Sequence, residues 1–276
     1  MGLRRLLTAA AAALVLAASG SCTEAVGRPA SITDAERLRI GVKTDQPGLA
    51  LRADDGTFAG FDVDVAHYIA DELGVERAEV DFTGVSPQER EQVLVRGEVD
   101  LVLATYSITP LRKTVVAFGG PYYVAHQDIL LRAGDTSVAG PADLEGKVLC
   151  QGADSDSADR IIGERGIAAE SVERPTYGDC IDLLAAGEVD AVSTDDLVLA
   201  GYLDTAPSSF NLVNAAFTNE KYGVGIARQD VAGCEAVNRA ITRMYQDGTA
   251  AWLLRKWFGD SGLDINTSVP QFEGCV

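Results

Sequence analysis

Gly97-Glu98-Val99-Asp100-Leu101-Val102 recurs ninety positions later as Gly187-Glu188-Val189-Asp190-Ala191-Val192. In each copy a stretch of helical periodicity closes on glycine, the residue that enters the left-handed backbone region without a steric cost. A tight Glu-Val-Asp turn follows, and then a short apolar run of strand length. Each run empties into polar residues: Thr105, Tyr106 and Ser107 after the first copy, Thr194, Asp195 and Asp196 after the second. Ligands of parallel α/β sheets sit beyond the carboxyl ends of the strands. Two such units therefore predict two α/β lobes whose polar strand ends face one cleft.

The surrounding chain keeps the same alternation. Leu38 to Lys43 reads as a strand, and Phe61 to Leu73 as an amphipathic helix stopped at Gly74. Val80 and Phe82 mark a strand. Ser86 with Glu89 three residues on forms a capping box for a helix running to Gly97. Later, Lys147–Cys150 is a strand, Asp156–Glu164 and Tyr177–Ala186 are helices, and Val189–Ser193 is a strand. Val231–Gln246 and Ala250–Phe258 read as two closing helices. Strands alternating with helices of this length predict largely parallel sheets.

The 276-residue chain has 41 Asp and Glu against 23 Lys and Arg, a formal charge of −18. Such a surface repels phosphate backbones and anionic lipid, which argues against a nucleic-acid partner or a polybasic membrane patch. At the start, Arg4 and Arg5 precede the apolar run Leu6–Ala18, then Ser19-Gly20-Ser21 and Cys22. A positive flank, a short apolar stretch and a small-residue processing site make residues 1–21 a signal peptide, too short to span a bilayer. The mature protein is expected to be exported, with no membrane span. Cys22 then becomes a lipidated N-terminus and residues 22–37 a flexible tether, on the outer face of the cell membrane. Secreted or periplasmic release is the alternative if Cys22 is not lipidated, since Ser19 stands where lipoproteins usually carry Leu. Four further cysteines, Cys150, Cys180, Cys234 and Cys275, suffice for two disulfides, which an oxidising compartment permits.

Gly60-Phe61-Asp62-Val63-Asp64-Val65, followed by Ile69-Ala70 and Leu73, resembles the signature of the family 3 extracellular solute-binding proteins. These are the polar amino-acid receptors of ABC importers. Ser107-Ile108-Thr109-Pro110-Leu111-Arg112-Lys113, with Phe118, Pro121, Tyr122 and Tyr123, resembles that family's other hallmark. Asp45-Gln46-Pro47-Gly48-Leu49 and Ser193-Thr194-Asp195-Asp196 are similar to its glutamate-binding branch. The resemblance runs from about Leu38 to Phe258. It implies a two-lobed periplasmic-binding-protein-like fold of type II, with the ligand in the interlobe cleft. Residues 38–124 with 222–276 would form lobe one, residues 125–221 lobe two, with crossings near Val124–Gln127 and Thr218–Tyr222.

An amino acid brings a carboxylate and an ammonium that both lose water on binding, so each requires an opposite partner. Arg112 offers a planar two-pronged donor for the carboxylate, with the Ser107 hydroxyl and the Thr105 backbone completing its shell. The resemblance implies that Asp195 takes the ammonium from the opposite lobe, with Asp196 capping the helix and Asp45 assisting. Phe82 falls where family members place an aromatic wall, although core packing is the competing role. Asp154-Ser155-Asp156-Ser157 departs from the family's Gly-Ser-Thr at a helix start. Asp154 and Asp156 would oppose a second ligand carboxylate unless Lys43 or another cation compensates. Glutamate or aspartate leads from the branch resemblance, with glutamine, asparagine or a basic amino acid open. The branch places a lobe-two disulfide at Cys150 and Cys180, which leaves Cys234 with Cys275.

The implied partners are the amino-acid ligand, an ABC permease and, through it, its ATPase, with the receptor itself a monomer. A sensor feeding a membrane kinase needs the same clamp. A dehydratase on the same fold, similar to the periplasmic cyclohexadienyl dehydratase, is the enzymatic alternative. His67 and His126 lie in a predicted helix and a predicted crossing strand, and no Ser/His/Asp or metal-ligand spacing appears. No catalytic group, metal or cofactor is therefore expected.

Overall fold

The computed structural model describes residues 30–153, 155–263 and 265–275. The expected signal peptide, Cys22 and Asp154 lie outside the described residues. The chain enters at β1 (Leu38–Val42), runs through a ribbon of β2 (Asp45–Gln46), β3 (Ala50–Arg52) and β4 (Phe58–Ala59), and continues into α1 (Phe61–Glu72). It proceeds through β5 (Val80–Gly84), α2 (Arg90–Val95), β6 (Leu101–Leu103) and β7 (Ala117–Ala125). After His126 come β8 (Gln127–Arg132), β9 (Val148–Gly152), α3 (Ser157–Ile162), β10 (Glu170–Arg174), α4 (Tyr177–Ala186), β11 (Ala191–Asp195), α5 (Asp196–Thr205) and β12 (Phe210–Leu212). The return strand β13 (Glu220–Ile226) leads to α6 (Val231–Gln246) and α7 (Thr249–Phe258).

Two five-stranded sheets result, ordered β5-β1-β6-β13-β7 and β10-β9-β11-β8-β12. The first three strands of each are mutually parallel. β13 and β8 run antiparallel to their neighbours, so both sheets are mixed rather than largely parallel. The reason lies in the crossings: β7 leaves along the direction of the parallel strands and β13 returns between it and β6, antiparallel to both.

The repeated hexapeptide does the same structural job twice. Gly97 (φ 69°) and Gly187 (φ 76°) terminate α2 and α4 in the left-handed region. Asp100 Oδ2 then accepts the Arg39 amide at 2.8 Å, and Asp190 Oδ2 accepts the Val148 amide at 2.8 Å. Each aspartate amide in return donates to the carbonyl of that same residue, at 2.7 and 2.8 Å. In both sheets the phrase thus pins the start of the central parallel strand to its neighbour, which sets the register of the strand ends one sheet-width away.

Several elements were hard to place from pattern alone. Ser86 binds Glu89 through its hydroxyl and amide, but this pair shapes a turn and the helix begins only at Arg90. Ile32, within the expected tether, is buried against lobe one, and its amide donates to Asp230 Oδ2 at 2.9 Å. α5 is buried from Asp196 to Leu203 because it is packed on β8 and β11 on one side and on α7 of the other lobe. At Gly201 an added Cβ would lie 1.9 Å from the Pro47 carbonyl oxygen, so only glycine permits this approach of the lobes. Cys150–Cys180 and Cys234–Cys275 are both bonded, with Cα separations of 5.4 and 5.8 Å. Closing loops of 30 and 41 residues stabilises the fold by about 4 kcal/mol each on the chain-entropy estimate.

Candidate functional site

The ends of β1, β6, β9 and β11 converge on a cleft between the two sheets, with a free volume of about 100 Å³. That is room for a few waters or a small polar solute. Lobe one contributes Lys43, Asp45, Arg90, Thr105, Ser107 and Arg112, and lobe two contributes Ser155, Asp156, Arg160, Tyr177, Thr194 and Asp195. Glu220, at the start of the return strand, closes one side. The structure therefore brings together eight of the nine sequence-derived candidates: Lys43, Asp45, Thr105, Ser107, Arg112, Ser155, Asp156 and Asp195.

Phe82 is the exception. Its ring packs edge-on to His67 at 5.0 Å and against Phe58 at 6.0 Å, among the residues of the hydrophobic core, and it does not line the cleft. The alternation of β5 carries the ring to the α1 side of the sheet. Thr105 needs a second correction. Its backbone adopts φ 45°, and its amide donates to Asp62 Oδ2 at 3.0 Å, so that donor is already committed. Asp62 is wholly buried, also accepts the Tyr122 hydroxyl at 2.8 Å, and is pushed up to about 6 by burial. Its role is to hold the unusual strand-end turn that presents Thr105 and Ser107.

The charges in the cleft are mostly paired off. Lys43 lies 3.2 Å from Asp45, and Arg160 of α3 meets Glu220, at the return crossing, at 2.9 Å. Arg112 donates to the Ser107 carbonyl at 2.8 Å, stacks 5.4 Å from the Tyr106 ring, and has carboxylates only at arm's length, Glu91 at 3.7 Å and Asp156 at 3.9 Å. Its outer guanidinium edge is therefore free of close contacts from those acids.

Among the described residues, two cleft groups have no opposite charge in ion-pair range. Arg90, 6% exposed, donates to the carbonyls of Pro87 and Ala104 at 3.2 Å and stacks 4.5 Å from Tyr106, with no carboxylate in ion-pair range among the described residues. Burial, with Arg112 nearby, pushes it down to about 10, still protonated at neutral pH. The Asp195 carboxyl, across the cleft, accepts the Tyr222 hydroxyl at 2.6 Å and has no cation in ion-pair range among the described residues. Burial, with Glu220 nearby, pushes it up to about 7. A guanidinium in one wall and a carboxyl in the other, neither in a close ion pair, suit a dipolar occupant. Tyr222 belongs to lobe one, so its bond to Asp195 and the Tyr202 hydroxyl's 2.7 Å bond to the Asp45 carbonyl both tie the lobes together.

Arg90 and Arg160 were not singled out by sequence reasoning. Both lie inside helices, where an arginine ordinarily reads as a solvated face, and no local spacing distinguishes them. Tyr177, whose hydroxyl bonds Ser155 and Ser157 at 2.7 and 3.1 Å, was read only as the start of a helix. Asp196 is buried on the far side of β11, lining a separate cavity with His126 and Asp128, and is pushed up to about 8 by burial and by Asp195.

Two mixed α/β lobes, a double crossing and a charged cleft between strand ends define a solute-capturing clamp. The chain belongs to the bacterial extracellular solute-binding proteins, family 3, whose sequence profile matches residues 38–260. It is 36% identical over 270 residues to the glutamate-binding protein GluB of Corynebacterium efficiens, covering 94% of this chain and 91% of that one. An ancestral arginine-binding protein bound to arginine superposes with a TM-score of 0.73 at 30% identity, covering 82% of this chain and 99% of that one. An ancestral amino acid-binding protein described as a precursor of cyclohexadienyl dehydratase superposes with a TM-score of 0.70 at 28% identity, covering 81% and 95%. No helix among the described residues is long and apolar enough to cross a membrane.

Proposed function

We propose that this chain captures an acidic amino acid, glutamate or aspartate, and delivers it to an ABC permease and its ATPase. The observation that carries the choice of ligand is Arg90, a buried cleft guanidinium with no carboxylate partner among the described residues. Arg112 takes the α-carboxylate, with the Ser107 hydroxyl and the Thr105 hydroxyl beside it. Arg90 then faces the side-chain carboxylate, and Asp195 accepts the ammonium from the other lobe. Asp156, which would repel a second carboxylate, is well exposed and leans toward Arg112. Lys43 is committed to Asp45, so the compensating cation is Arg90. The 36% identity to a glutamate-binding protein supports the same ligand class.

The clamp works through differential contact. A zwitterion held by lobe-one guanidinium groups and the lobe-two carboxylate favours the closed arrangement only while it bridges both. Lobe one is taken as residues 38–124 with 222–276 and lobe two as 125–221. The receptor acts as a monomer, exported by residues 1–21 and anchored through a lipidated Cys22. The dehydratase alternative has the shared fold in its favour and no assigned acid–base pair. The kinase-linked sensor differs only in the partner of the closed form.

The reading is tested by thermal unfolding of the chain beginning at Ala30 against a panel of amino acids. Saturating glutamate or aspartate at about 100 times Kd should stabilise the fold by about 2.7 kcal/mol, raising Tm, with glutamine and arginine well behind. A larger shift with arginine or glutamine would refute the acidic-ligand assignment.

A further inference from the structure

We propose that the C-terminal strap, residues 265–275, positions the ligand-binding arginine from the back of lobe one through Glu273. β7 is the edge strand of its sheet, and an edge presents backbone groups that a chain segment can cover. The Glu273 amide donates to the Gly120 carbonyl in β7 at 3.1 Å. Two residues on, Cys275 is bonded to Cys234 in α6. Asn238 of the same helix joins the two anchors, accepting the Gly120 amide at 2.7 Å and donating to Cys275 Sγ at 3.2 Å. Ile265 and Phe272, at the two ends of this segment, pack against the buried hydrophobic cluster.

From that fixed base the Glu273 carboxylate grips two lysines. Lys221 Nζ is 2.5 Å from Oε1, and Lys113 Nζ is 3.5 Å from Oε2. Lys113 directly follows Arg112. Lys221 lies between Glu220, which meets Arg160, and Tyr222, which meets Asp195 of the other lobe. The two gripped segments are also stitched to each other: the Ile108 amide donates to the Lys221 carbonyl at 2.8 Å, and the Gly223 amide to the Tyr106 carbonyl at 2.9 Å. One carboxylate thus ties the loop that carries the carboxylate-binding arginine to the strand that carries the closure contacts. An isolated exposed Lys–Glu pair contributes little, but here the carboxylate is preorganised by a disulfide and a backbone hydrogen bond, and is shared by two cations. The partners hold Glu273 below the usual carboxylate range, Lys221 foremost.

Glu273 is a positioning residue, since it does not line the cleft. The effect on affinity rests on Arg112 being the ligand's carboxylate partner, whereas the effect on the loop does not. The experiment is therefore backbone hydrogen exchange on the ligand-free chain, comparing wild type, E273Q and the pair C234A/C275A. Exchange across 107–116 and 220–223 should speed up by about tenfold in both variants, with β9 and β11 of lobe two unchanged. Glutamate titration of the same samples should show weakening by about three- to tenfold, carried by faster dissociation, with partial recovery in E273D. Unchanged exchange in E273Q at both segments would overturn the proposal. Equal acceleration throughout lobe two would also overturn it, because the strap would then be contributing only general stability. If the wild type binds no acidic amino acid while the exchange changes stay local, the strap stands and the ligand assignment falls.

Discussion

The two lobes share one construction and differ in what they present. The echoed hexapeptide fastens β6 beside β1 and β11 beside β9 with matching hydrogen bonds. Yet the strand ends of lobe one open onto Arg90, Arg112 and Lys43, while those of lobe two open onto Asp195, Asp156 and the hydroxyls of Ser155, Thr194 and Tyr177. One framework, used twice, thus carries a wall rich in cations and a wall rich in carboxylates and hydroxyls. The lesson is that the repeat specifies where a cleft forms, and the residues beyond it specify what each wall presents; under the proposed function these are the two halves of a zwitterion's partner set.

Replacing the lobe-one anchor should break that division most severely. Arg112→Ala is expected to weaken glutamate binding by on the order of 10³-fold, because it removes one member of a desolvated charge pair. The circular dichroism spectrum should stay unchanged, since the Arg112 side-chain contacts lie at the cleft wall, with Ser107, Tyr106, Glu91 and Asp156. Arg90→Gln sharpens the comparison instead. It should cost glutamate about 10²-fold while glutamine loses far less, since the variant removes the charge that reads the second carboxylate. Gly201→Ala tests the meeting of the lobes. Its methyl would collide with the Pro47 carbonyl, so ligand affinity should fall by about tenfold or more with each lobe intact. Small-angle scattering should show a more open particle in the presence of ligand.

The weakest expected effect is that of pH. Asp195 must be ionised to accept an ammonium, and burial holds it at about 7 in the ligand-free protein. Affinity should therefore fall as pH drops below 7, by about tenfold per unit at most, and Asp195→Asn should flatten that profile. Stability of the unliganded fold runs the other way. Between the ordinary carboxylate range and about 7 the native state holds a proton on Asp195 that the unfolded chain has released. Stability consequently declines as pH rises through that window. Asp62, at about 6, and Asp196, at about 8, add to the same trend. Thermal unfolding at pH 5 and pH 8, with and without ligand, checks both signs.

Most of the frame was legible because it is written locally. Glycine-terminated helices, the hexapeptide repeat and the apolar strand runs located α1, α4, α6 and the parallel halves of both sheets. The polar strand ends then located Ser107 and Asp195, and the family resemblance located Arg112. What escaped was set by packing at a distance. Phe82 obeys the alternation of β5, which sends its ring to His67 rather than to the cleft, and its neighbour set cannot be read from its own segment. The Thr105 amide is consumed by Asp62, 43 positions away. Arg90 belongs to the site only because α2 and the 104–107 turn fold onto one another around Tyr106, a three-residue stack with no linear signature. The strand β8 and the helix α5 were unread because one is a connecting strand and the other is buried on nearly all sides, so neither shows a clean amphipathic period.

The most direct test is calorimetric titration of the wild-type chain, from Ala30 onward, with glutamate and glutamine side by side at pH 7.5. The two ligands share size, α-carboxylate and ammonium, and differ only in the group that would face Arg90. The account predicts a micromolar or tighter Kd for glutamate, about −8 kcal/mol or better, and glutamine weaker by about 10²-fold. Equal affinity, or a preference for glutamine, would contradict the assignment of Arg90 to a second carboxylate and with it the acidic-ligand reading.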